Sequence, residues 1–122
     1  MTQSSAPIDE RTHFPPMKPV DFLILLSLVE HDLHGYGVLL EVERSSRGEV
    51  RLDAGNLYRS LRRLMAGELV ERLDAAAAQD SEERRRYYRL TDVGRRAVAA
   101  EARRMRDLLR LAPARHLLAE PS

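Results

Sequence analysis

From Val20 to Glu30 apolar side chains occupy nearly every side of a helical projection, which predicts a helix covered on more than one face. His31-Asp32-Leu33-His34-Gly35 then supplies a polar break. Tyr36, Leu39 and Leu40 recur at the three- and four-residue spacing of an amphipathic second helix, with Gly48 near its exit. The alternation Glu49-Val50-Arg51-Leu52 suits a short strand, after which Asp53 or Asn56 offers an oxygen to the free amides of a third helix. In that helix Leu57, Leu61 and Leu64 line one face over two turns, and Gly67 permits a left-handed exit.

Further along, Leu69-Val70-Glu71-Arg72-Leu73 and Arg86-Tyr87-Tyr88-Arg89-Leu90 read as two antiparallel strands joined by an Ala-rich, charged loop, which is a wing. Thr91 caps a final helix, Asp92 suits its positive end, and Pro113 stops it near residue 112. The predicted fold is mainly α with a small antiparallel β-wing: a winged helix-turn-helix over residues 20–90, followed by a C-terminal dimerisation helix and tail over 91–122. Residues 1–19 carry Pro7, Pro15, Pro16 and Pro19 and read as an arm, either flexible or packed through Phe14 and Met17 on a partner subunit.

A chain of 122 residues fits one domain better than two. The absence of cysteine excludes disulfides, thiolate nucleophiles and thiolate metal sites. The longest apolar stretch, Phe22 to Val29, is far short of the roughly 20 residues a membrane span requires. No basic segment leads into an apolar secretory stretch, so the expected location is cytoplasmic, with no membrane partner.

Twenty Lys and Arg nearly balance nineteen Asp and Glu, but the balance is not local. Asp21, Glu30, Asp32, Glu41 and Glu43 occur with no Lys or Arg between residues 20 and 43, whereas seven arginines face four acids from Arg44 through Arg72. Arg84, Arg85, Arg86 and Arg89 form a second cluster near the wing. Arginine clusters of this kind neutralise the phosphates of double-stranded DNA and release its counterions. On the third helix Asn56, Arg59 and Arg63 share a broad face away from the leucine stripe, with Arg62 farther around. Asn56 suits adenine or phosphate, Arg59 suits guanine, and Arg62 or Arg63 suits the backbone. Tyr58 offers packing and a hydroxyl donor. The DNA-binding candidates are therefore Asn56, Tyr58, Arg59, Arg62, Arg63, Arg84, Arg85 and Arg86. Along the last helix Val98, Met105, Leu109 and Ala112, flanked by Leu108, make an apolar stripe that asks for a second copy of the chain, with Phe22 as a further interface candidate.

Three segments together carry a family resemblance: His34-Gly35-Tyr36-Gly37, then Gly55-Asn56-Leu57-Tyr58-Arg59-Ser60-Leu61, then Arg86-Tyr87-Tyr88-Arg89-Leu90-Thr91 with Gly94. Over roughly residues 19–112 the chain resembles the compact PadR family of transcriptional regulators. The family pattern usually has proline where Arg59 stands and a Gly-Arg-Pro-like segment in place of Glu83-Arg84-Arg85. The resemblance implies a homodimeric repressor on an inverted-repeat operator, with Tyr58 on the DNA backbone. It also implies a small aromatic or apolar effector near the dimer helices, but with no tryptophan here no ligand residue carries over.

Two other readings compete. An enzyme would have to use His31 and His34 with Glu30 or Asp32, yet adjacency in sequence makes no triad, and His34 beside Gly35 fits a structural hydrogen bond; no catalytic residue, cofactor or metal is assigned. A dimeric protein-interaction adaptor would use the last helix and the Pro-rich arm without specific DNA binding.

Overall fold

The computed structural model describes residues 13–73, 86–114 and 116. The chain runs α1 (Pro19–Ser27), β1 (Leu33–His34), α2 (Gly35–Ser45), α3 (Ala54–Ala66), β2 (Val70–Leu73), β3 (Tyr87–Leu90), α4 (Asp92–Leu109) and α5 (Leu111–Ala114). These elements are a winged helix-turn-helix followed by a long C-terminal helix. Among the described residues no helix is long and apolar enough to cross a membrane.

The core forms where α1 packs against α2 and α4 and where α3 leans on β2. Ile24, Leu25, Val38, Val42, Leu57 and Leu61 are fully excluded from solvent. Side chains of this size each contribute about 1.5–3 kcal/mol on leaving water, which makes this cluster the main source of stability. In α1 the helix stops at Ser27 rather than Glu30, because the Ser27 hydroxyl donates to the Ile24 carbonyl at 2.6 Å and Leu28 and Val29 close tight turns. In α2 the buried line is Gly35, Val38 and Val42. Tyr36 and Leu40, read from sequence as part of the packed stripe, are exposed instead.

The sheet holds three strands in the order β1-β3-β2, all antiparallel. Leu33 faces Tyr88 and His34 faces Tyr87, so the third strand lies in what reads along the sequence as a polar break. The expected strand at residues 49–52 does not form. Both backbone polar groups of Val50 turn to the Ser46 hydroxyl, leaving nothing for a ladder.

The exit of α3 also differs from expectation. Gly67 keeps an ordinary φ of −85°, and Glu68 takes the left-handed position at +65°. Leu69 N–H donates to the Leu64 carbonyl and Glu68 N–H to that of Met65, which is the paired closure of a Schellman turn. The following strand is thereby aimed back along the helix.

At the start of α4 the Thr91 hydroxyl accepts from Gly94 N–H at 2.8 Å and donates to the Glu68 carbonyl at 2.7 Å. One side chain caps the helix and ties it to the α3 exit. Arg95 extends this tie by donating to the Val29 carbonyl at the end of α1. Residues 13–18 lie on the chain's own surface: Arg104, held by Glu101, donates to the Phe14 carbonyl, and Met17 packs against the core. Residues 1–12 of the expected arm lie outside the described residues.

Candidate nucleic-acid interface

Asp53 starts α3, its carboxylate accepting from Asn56 N–H at 2.7 Å. With Leu57, Leu61 and Leu64 buried, the 3.6-residue period dictates what faces outward. Arg59 falls opposite the leucine line, with Arg63 and then Asn56 to one side of it and Arg62 and then Tyr58 to the other. Asn56, Tyr58, Arg59, Arg62 and Arg63 all reach solvent.

Local contacts divide their roles. The Asn56 amide donates to Asp53 at 3.2 Å, and its carbonyl oxygen accepts from the Arg59 guanidinium, so Asp53, Asn56 and Arg59 form a chain along the first turns of α3. Such a chain holds the Arg59 fork in one orientation before any ligand arrives. Arg63 is engaged elsewhere, its Nη2 lying 2.6 Å from Asp21 Oδ1 on α1.

Tyr58 both packs and faces outward. Its hydroxyl lies against Gly35 so closely that a methyl group there would sit 2.5 Å from the oxygen, while the ring stays 41% exposed. Beside it Tyr88 is buried. Burial pushes the Tyr88 phenol above its ordinary value; Tyr58 adds to the effect, and the nearby positive charges of Arg72, Arg86 and Arg62 pull against it. Those three cations, from α3, β2 and the foot of β3, therefore converge on one region. Arg72 is a basic residue that sequence reasoning passed over, although its place in the wing strand was visible.

The acidic first half of the chain cancels much of the arginine excess. Glu41 pairs with Arg44, Glu43 with Arg51 at 3.5 Å, and Asp21 with Arg63. Arg89, assigned from sequence to the wing cluster, faces Asp32 at 3.2 Å and Glu71 at 3.9 Å. The basic surface is narrower than the sequence suggests, with Arg59, Arg62 and Arg86 among its cations. Arg84 and Arg85 lie outside the described residues.

His34 has a structural role at the start of α2. Its Nδ1 accepts from Gly37 N–H at 3.0 Å and caps α2, and its ring stacks on Tyr36 and meets Tyr87 edge-on at 5.5 Å. Among the described residues no group of His, Cys, Asp or Glu is arranged to hold a metal ion.

The six interface candidates separate into two groups. Val98 is buried in the chain's own core, which corrects its assignment to a dimer face. Phe22, Met105 and Leu109, with Ala102, Arg106, Arg110 and Pro113, line an apolar groove of about 500 Å³ between α1 and the end of α4. Leu108 is 60% and Leu109 61% exposed, and Ala112 is half-buried. The apolar stripe thus begins in the core and continues past it.

Comparison with known proteins gives a consistent result. The family model described as transcriptional regulator PadR-like matches residues 24–100. A PadR family transcription regulator from Clostridium difficile is similar at 26% identity and a TM-score of 0.69, over 80% of this chain and 97% of that one. A transcriptional regulator from Clostridium thermocellum is similar at 21% identity and a TM-score of 0.65, over 93% and 97%. Bacillus subtilis PadR, solved in complex with operator DNA, is similar in fold at 17% identity and a TM-score of 0.58, over 86% of this chain and 51% of its own. No curated protein matches the chain.

Proposed function

The chain belongs to the PadR-like family of transcriptional regulators, proteins that are not enzymes, and from that premise we propose that it is a homodimeric, sequence-specific DNA-binding repressor acting on an inverted-repeat operator. The observation that carries the reading is the outward face of α3. Arg59 stands opposite a buried leucine line with Arg62 exposed beside it, and Arg59 is pre-oriented through Asn56 and Asp53.

In this reading α3 enters the major groove, where the Arg59 fork addresses a guanine edge and Asn56 flanks it. Arg62 and the Tyr58 hydroxyl contact phosphate, and Arg86 with the wing residues Arg84 and Arg85 follows the adjacent backbone. That Bacillus subtilis PadR, similar in fold, is solved in complex with operator DNA supports the DNA-binding reading. A second copy covers the apolar groove and the exposed Leu108 and Leu109, setting two reading helices about 34–36 Å apart on neighbouring major-groove faces. Binding there blocks RNA polymerase. A small aromatic or apolar effector that seats beside the paired α4 helices would change the spacing and release the operator.

A footprint with the purified full chain at controlled salt, followed by competition with scrambled duplex, tests the reading. The expected result is a protected two-fold site whose guanine preference weakens in Arg59→Ala, with a cost of about 1–3 kcal/mol at that base. Protection that scrambled duplex abolishes equally well refutes it.

A further inference from the structure

We propose that Asp21 is a positioning residue that withholds Arg63 from the phosphate backbone, an inference that rests on the DNA-binding reading above. Arg63 is one of three arginines on α3, yet its guanidinium is bound 2.6 Å from a carboxylate 42 residues earlier in the chain. The two ends of this pair are unequally placed. The Asp21 side chain is 10% exposed and that of Arg63 is 49% exposed.

This inequality decides what happens when DNA arrives. If Arg63 moved to a phosphate, it would leave an almost buried carboxylate without its counter-charge, which is strongly unfavourable. An exposed phosphate contact returns less than that. The pairs Arg44–Glu41 and Arg51–Glu43 differ, because water reaches both partners and exchange is cheap. Arg63 also sits on the side of α3 that meets α1, across the outward face from Arg62. Asp21 therefore acts as a positioning residue: it holds α3 against α1 and removes one cation from the set available to any duplex.

The functional consequence follows from how the two kinds of affinity arise. Non-specific affinity comes almost entirely from phosphates neutralised, whereas discrimination comes from base edges. Subtracting one cation without touching Asn56 or Arg59 lowers the first and spares the second. Affinity for operator and bulk DNA therefore falls together, and their ratio stays as the base contacts set it.

The test is the slope of log Kobs against log salt for a random duplex, measured for the full-length chain and for Arg63→Gln, Asp21→Asn, the double variant and Arg62→Gln, with folding checked by circular dichroism. Arg62→Gln should flatten the slope by about 0.9, and Arg63→Gln should leave it unchanged. Asp21→Asn frees Arg63 and should steepen the slope by about 0.9, which relative to 1 M salt means binding about fifteenfold tighter at 50 mM and about fourfold tighter at 200 mM. The double variant should return to the parent slope. A slope flattened by about 0.9 in Arg63→Gln, or a folded Asp21→Asn with the parent slope, overturns the proposal. Should Asp21→Asn fail to fold, the Arg63→Gln slope alone decides. A parent chain with no salt-dependent DNA binding refutes the DNA reading itself, which is a distinct outcome.

Discussion

Replacing Gly94 with alanine should destabilise the protein, against the direction that helix propensity gives. Gly94 lies in the first turns of α4, where alanine ordinarily gains about 1 kcal/mol over glycine. The added methyl, however, would lie 2.9 Å from the Leu69 carbonyl carbon, 2.9 Å from Leu90 Cδ1, and closer still to the Leu69 oxygen. The obstacle is backbone, so no side-chain rotation relieves it. Moving the helix start off β2 by about 1 Å restores van der Waals contact. That shift stretches the Thr91 N–H bond to the Leu69 carbonyl from 3.1 Å to beyond bonding range and strains the Thr91 hydroxyl bond to Glu68. Two hydrogen bonds at about 1 kcal/mol each and about 1–3 kcal/mol of overpacking outweigh the propensity gain. The net loss is about 2–4 kcal/mol. Urea denaturation of Gly94→Ala beside Gly55→Ala measures it, since at Gly55 the nearest heavy atoms lie 3.5 and 3.8 Å away and alanine fits. Gly55→Ala should gain up to about 1 kcal/mol. A Gly94→Ala variant as stable as the parent would refute the reasoning.

Three further outcomes are expected. Asp53→Ala removes the cap of α3 and should cost about 1 kcal/mol in the same denaturation experiment. Because burial raises the Tyr88 phenol above its ordinary value of 10.0, the phenol is protonated in folded and unfolded chains alike below that pH and its contribution is intact there. Above pH 10 the unfolded chain ionises first and stability is lost until the folded value is passed, so denaturation midpoints from pH 8 to 11 should fall more steeply in the parent than in Tyr88→Phe. Introducing glutamate at Met105 and Leu109 places charge in the groove beside Phe22. Sedimentation should then give a monomer of unchanged helix content, with operator affinity reduced at least about a hundredfold as the two half-sites lose their linkage.

The order of elements was legible in local pattern. The leucine line of α3, the caps at Asp53 and Thr91 and the two wing strands each rest on local pattern, which spacing and side-chain type encode directly, whereas α4 ends at Leu109 and Pro113 lies inside α5 rather than stopping α4 near residue 112. Where α2 was misread, two faces of similar hydrophobicity compete. Val38 and Val42 point inward because α1 and α3 lie on that side, and nothing in the helix itself distinguishes them from Tyr36 and Leu40. The strand at Leu33–His34 was invisible for the same reason: two residues form a strand only because β3 presents a free edge to them.

Sequence alone determined that a compact basic reading helix and a wing exist, that the chain carries no thiol chemistry, and that the end of α4 has more apolar surface than one copy covers. Tertiary structure alone decided which arginines are available. Asp21 meets Arg63 and Asp32 meets Arg89 across 42 and 57 residues, and each such pairing removes a cation that local sequence had marked as free. Helical and strand periods act over a few residues, but a charge interacts with whatever the fold brings within a few ångströms of it, so the electrostatic face of this protein is set only when α1, α3 and the sheet are packed together.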